Sequence, residues 1–162
     1  MRISWRALQL MRECVRPREE TIEAREVLMT FRTLLMIKAA VCLAFGVYLL
    51  LAPASLLGLL GASLSGAGLF TAREYGAAMI GTLLLAWFAK DVQARDARGA
   101  ILLDLLVYDG IGLVVTLAVV VTGVLNVLGW SIVVVYAFFT AGSGYLLLKE
   151  KPFGANPAQR AV

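Results

Sequence analysis

The sequence predicts an all-α integral membrane protein: a four-helix transmembrane bundle with an N-terminal cytoplasmic amphipathic arm and an outer-side interfacial or re-entrant segment. Three observations predict it. Of the 162 residues, 60% are hydrophobic and 16% charged, with a mean hydropathy of +0.84. Soluble domains average about half apolar and about a quarter charged, and a single 17.5 kDa domain offers no interior for so much apolar surface. Apolar runs approaching the ~20 residues that cross a ~30 Å hydrocarbon core recur along the chain. The basic residues behind the net charge of +4 gather at the N-terminus and beside the apolar runs, which suits orientation among anionic lipids and argues against nucleic-acid binding.

Residues 1–32 form the predicted arm and carry almost half of the basic residues, mixed with glutamates. Trp5, Leu8 and Val15 fall on one side of a helix there, with Arg2, Arg6 and Arg12 mostly on the other. Such a segment lies flat among headgroups. Pro17 ends it. The apolar stretch is too short and too charged for a secretory signal, and Met29 or Met36 would also serve as a start.

The bundle is expected over residues 33–148, with spans at about 33–52, 72–89, 99–122 and 127–148. Between the first two lies Pro53 to Phe70, apolar, uncharged and rich in glycine and serine. Counting it as a fifth span would separate the two termini. Lys90, Arg95 and Arg98 follow span two, and Lys149 and Lys151 follow span four in the short tail, residues 149–162. With four spans these charges and the arm share one face, leaving Arg73 alone opposite. The positive-inside rule then makes both termini and the loop between spans two and three cytoplasmic. Residues 123–126 are short enough to make spans three and four an antiparallel hairpin.

Ionisable groups within spans are costly and are the first candidates for a site. Lys38 and Asp104 each lie about six residues, roughly 9 Å, inside the same membrane face. Either they pair, or Lys38 extends its stem to the headgroups. Asp109 is deeper, at roughly 15 Å, and is expected to be protonated or held by hydroxyls such as Thr82, Tyr136 or Thr140. Asp104 and Asp109 are five residues apart and so about 140° apart around the helix, which excludes a close acid–base dyad. Read as a fixed hydrogen bond between helices, Asp109 is expected to tolerate Asp109→Asn with the fold intact, whereas Asp109→Leu loosens helix packing. Arg73 and Glu74 are placed at the outer start of span two, with the acid capping its N-terminus. Trp87 and Trp130 suit the two interfacial belts. Small residues repeat at four-residue spacing, as Ala40 and Ala44, Ala77 and Gly81, and Ala137 and Ala141, and allow close helix packing.

No histidine is present, which removes the usual haem and zinc ligand. Cys14 and Cys42 stand far apart and read as inert thiols. No phosphate loop, nucleophile elbow or metal spacing appears, so no catalytic residue, metal or cofactor is assigned.

The stretches REYGAAMIGTLLLAWFA, AILLDLLVYDGIG and GVLNVLGWSIVVVYAFFTAGSGYLLL, within residues 73–148, resemble the small four-helix bacterial membrane proteins grouped around the DoxX-like families. The shared marks are the arginine and glycine opening span two and Asn126, Gly129 and Trp130 entering span four. The resemblance implies an accessory role in a respiratory membrane. Together with the many small residues and the arm, it favours a non-catalytic accessory subunit of a respiratory or photosynthetic complex. The expected partners are lipids and other membrane subunits or further copies of the chain. The alternative is a binder of a small molecule, lipid or quinone, or a proton-coupled transporter, built on Lys38, Asp104 and Asp109.

Overall fold

A computed structural model describes residues 31–153, so the arm before Phe31 and the tail after Phe153 lie outside the described residues. Five helices appear and, among the described residues, no strand. They are α1 (Phe31–Leu51), α2 (Pro53–Leu59), α3 (Gly66–Ala89), α4 (Arg95–Val121) and α5 (Gly129–Glu150). By length and composition α1, α4 and α5 are apolar enough to cross a membrane. At 24 residues α3 is as long, but Arg73, Glu74 and many small residues dilute its apolar character.

Why α1 packs as it does is visible in its spacing. Phe31, Leu34, Leu35, Lys38, Ala39, Cys42, Gly46 and Leu49 are buried and recur every three or four residues, the period of a single helix face. That face joins Ala86 and Ala89 of α3, Leu102 and Leu105 of α4, and Phe139 and Leu146 of α5 in one core. The opposite surfaces expose leucine, valine and phenylalanine, an arrangement suited to lipid.

The helices approach closely where a side chain is missing. A Cβ built on Gly76 would stand 3.0 Å from the Gly46 carbonyl oxygen, the Leu49 Cβ and the Leu50 nitrogen, so α1 and α3 touch backbone to backbone. Of the repeating small residues, Ala40, Ala44, Ala77, Gly81 and Ala141 face outward. Their spacing creates a small-residue surface, while close contacts between helices are made at Gly46, Gly76, Gly112 and Gly142.

The Pro53–Phe70 stretch is divided. Proline at the first position suits the start of α2, but seven residues rise only about 10 Å. The turn after it passes through Gly61 at φ +86°, and residues 66–70 are already the first turn of α3. Consequently Arg73 and Glu74 do not open this helix, as expected, but sit two turns inside it, with no acidic residue in its first turn. The residues from Gly66 to Ala72 already belong to the same hydrogen-bonded ladder as Arg73, and no proline or turn interrupts it there.

Asn126 ties the two connections at the α2 end together. Its backbone N–H donates to the Leu60 carbonyl at 2.8 Å, its side-chain amide donates to the Leu59 carbonyl at 2.8 Å, and its side-chain oxygen accepts from Leu128 N–H at 2.9 Å. At the other end, Arg98 Nη2 donates to Glu150 Oε1 at 2.6 Å, Arg95 Nη2 donates to the Glu150 carbonyl at 2.7 Å, and the Arg98 guanidinium lies 4.5 Å from the Phe31 ring centre. Both partners of the Arg98–Glu150 pair are buried. Arg98→Met is expected to destabilise by ~3 kcal/mol, because it leaves a buried carboxylate without its counter-charge. Thermal melting in detergent checks this, and Arg98→Met combined with Glu150→Gln is expected to recover part of the loss.

Candidate functional site

Lys38 occupies the buried stripe of α1, and Asp109 lies on the stripe of α4 that also buries Arg98, Leu102 and Leu105. The Lys38 Nζ donates to Asp109 Oδ1 in an ion pair across the core. The residues are 4% and 0% exposed, so neither charge is screened by solvent. Lys38 thus pairs with Asp109 and not, as level-matching predicts, with Asp104. The five-residue rotation turns Asp104 out to an exposed position. Asp109 is about 7.5 Å further along the axis, a gap that the flexible lysine stem helps to cover. Extension to the headgroups is likewise set aside, since the ammonium turns into the core. There it lies 4.6 Å from the Phe139 ring centre and 5.3 Å from that of Tyr108, within reach of a cation–π attraction.

The hydroxyls expected to hold Asp109 are engaged elsewhere or unpaired. Thr82 donates to the Ala78 carbonyl of its own helix at 3.1 Å. Tyr136 is 2.8 Å from the Tyr75 hydroxyl. The Thr140 and Ser143 hydroxyls and Asp109 Oδ2 are buried with no hydrogen-bond partner among the described residues. A Cβ on Gly110 would sit 3.9 Å from Thr140, and one on Gly144 3.6 Å from Leu106, so antiparallel register sets Thr140 and Ser143 near the level of Asp109.

Three tyrosines from three helices converge beside the ion pair. Tyr108 of α4 donates to the Tyr75 hydroxyl of α3 at 2.8 Å, and Tyr75 shares the second contact with Tyr136 of α5. Gly112 makes this possible: a Cβ there would lie 2.5 Å from the Tyr136 ring. Nothing in the spacing of the sequence singles out Tyr75 and Tyr108. Their signal was a phenol in an apolar helix, a ring that buries well while its hydroxyl seeks a partner.

Ion pair and tyrosines line a cavity of about 350 Å³. Phe139, Lys38 and Asp109 form one end, and Leu56, Leu57 and Leu60 from α2 and the following turn close the other. Val41, Phe45, Met79 and Val135 make most of the wall apolar, with Cys42, Thr82 and Thr116 adding small polar atoms. Of the sequence candidates, the cavity gathers Lys38, Asp109, Thr82 and Tyr136. It does not gather Asp104, Thr140, Arg73, Glu74 or Trp130, and the last three are exposed. Chemically the site is an apolar chamber with phenolic donors on its wall and a compensated charge pair at one end. Among the described residues no group of three metal-ligating side chains assembles. In comparison with protein families, curated proteins and solved structures, the chain finds no match.

Proposed function

We propose that this chain is a four-span protein of a bacterial cytoplasmic membrane, related to the DoxX-like group, that binds a lipid-soluble small molecule between its helices. The carrying observation is the apolar cavity of about 350 Å³ with the Lys38–Asp109 pair at one end and three phenols on its wall. Small-molecule sites commonly occupy ~300–1,000 Å³, mostly apolar with a few placed polar groups. The cavity suits a quinone or another lipophile better than a water-soluble solute. In this reading α3 crosses the bilayer with α1, α4 and α5. The basic residues at the Arg98–Glu150 end then put that end, and both termini, at the cytoplasm.

An accessory role in a larger complex has its own support, the outward small-residue faces of α1 and α3 at Ala40, Ala44, Ala77 and Gly81. The two roles are compatible, since a subunit docked on a complex can still hold a ligand.

Organic extraction of the full chain purified in mild detergent, followed by mass spectrometry, tests the binding reading. Wild type is expected to carry a lipophile in near-equal amount. Thr116→Phe, which fills the cavity from α4, is expected to lose most of it. Equal recovery from both proteins, or none from wild type, overturns the reading.

A further inference from the structure

A count of donors and acceptors around the cavity restricts what it takes. Each tyrosine hydroxyl carries one proton to donate. The trio makes two hydrogen bonds, Tyr108 to Tyr75 and Tyr75 with Tyr136. Three protons serve two bonds, so one phenolic O–H remains. If Tyr75 donates to Tyr136, the spare proton belongs to Tyr136. If Tyr136 donates to Tyr75, it belongs to Tyr75. Both rings line the cavity, whose wall is otherwise largely apolar. A donor facing an apolar chamber without an acceptor is costly, so the trio favours an occupant that brings one.

The ion pair sets a second condition. Lys38 and Asp109 cancel each other's charge and are almost wholly enclosed. A carboxylate drawn to Lys38 would have to displace Asp109, leaving that acid unpaired in the core. A cation drawn to Asp109 would strand Lys38 in the same way. Neither exchange is favourable where water is excluded.

We propose that the cavity takes a neutral lipophile bearing a carbonyl oxygen, and that this oxygen accepts from the spare phenolic proton on Tyr75 or Tyr136. The inference rests on the binding reading above and names its ligand class. A carbonyl fits better than an alcohol, because it takes the spare proton without adding another that needs an acceptor. Tyr75 or Tyr136 is then the donor to the ligand and Tyr108 holds Tyr75 in place, while the Lys38–Asp109 pair is a compensated floor that disfavours ions.

The test uses four probes of equal chain length: undecane, its straight-chain methyl ketone, undecanoate and undecylamine. Each is titrated against the full chain in an alkyl maltoside, with intrinsic tryptophan fluorescence and thermal shift as readouts. The ketone is expected to bind about fivefold more tightly than the alkane, as one neutral hydrogen bond provides. Both ions are expected to bind more weakly than the ketone. Single phenylalanine variants at Tyr108 or Tyr136 still leave one unspent proton, so they are expected to keep the preference. The triple variant Tyr75→Phe, Tyr108→Phe, Tyr136→Phe is expected to bind ketone and alkane equally, with alkane affinity retained. Ketone and alkane binding alike to wild type overturns the ligand class and leaves the cavity reading standing. Tightest binding by undecanoate overturns the neutral-ligand argument. Binding of none of the four overturns the cavity reading and this inference with it. Phospholipid esters carry the same oxygen. Displacement of the ketone by added phosphatidylglycerol assigns the carbonyl to a lipid acyl ester, and undisturbed ketone binding assigns it to a free lipophile.

Discussion

Lys38→Met is expected to lower the stability of the detergent-solubilised protein by ~3–5 kcal/mol, the cost of leaving a buried charge without its partner. Asp109→Leu is expected to cost a similar amount for the mirror-image reason. The double variant should recover most of that loss, because two apolar side chains replace two compensated charges in a space already lined by Phe139 and apolar neighbours. Asp109→Asn, which looks harmless when Asp109 is read as a neutral hydrogen-bonding residue, now belongs with the damaging changes. It preserves shape but removes the charge opposite Lys38. Melting temperatures of the two single variants, the double and Asp109→Asn decide the matter. Single variants that melt with wild type would mean that the pair contributes nothing to holding α1 against α4.

The second large effect is expected at Gly76. Leucine there would force its Cβ against the Gly46 carbonyl, Leu49 and the Leu50 backbone nitrogen, all at 3.0 Å. Two of these contacts are backbone atoms of α1, which yield only if the helix moves. Overpacking of this kind costs ~1–3 kcal/mol, and a site bounded by backbone belongs at the upper end. Gly81→Leu on the same helix is the matched control, since a Cβ at Gly81 meets nothing within 4 Å. Protein yield and thermal melting are expected to fall for Gly76→Leu and to hold for Gly81→Leu. Equal behaviour of the two would remove the α1–α3 contact from any account of stability.

How far the sequence carried can be followed through these same residues. Apolar runs of membrane length were enough to locate α1, α4 and α5, and their edges moved by only a few residues. The start of α3 was missed by six residues, because Arg73 and Glu74 looked like the edge of an apolar run and are in fact interior to a helix. Rotation arithmetic separated Asp104 from Asp109 correctly, and their opposite exposures follow from it. Depth arithmetic then chose the wrong partner for Lys38. Level along the axis says nothing about which face of α4 is turned inward, and a long side chain is not confined to its own level. The tyrosine trio was out of reach for a related reason. Tyr75, Tyr108 and Tyr136 lie 33 and 61 positions apart in their hydrogen-bonded pairs, and only the packing of three helices brings them together. The four-residue spacing of the small residues is plain in the sequence, but spacing alone does not say whether such a face looks inward or outward.

The Lys38–Asp109 pair also has a consequence for how the molecule is made. Its two halves are 71 residues apart in the chain. At ~5–20 residues synthesised per second, α1 precedes the acid that neutralises it by roughly 4–14 s. Throughout that interval the first helix carries an uncompensated ammonium, a poor passenger for hydrocarbon. Its lodging in lipid is therefore provisional until α4 emerges, and the nascent chain must shelter Lys38 at a hydrated margin or beside the insertion machinery. The same contact that locks the finished protein sets the order in which its helices can commit to the bilayer.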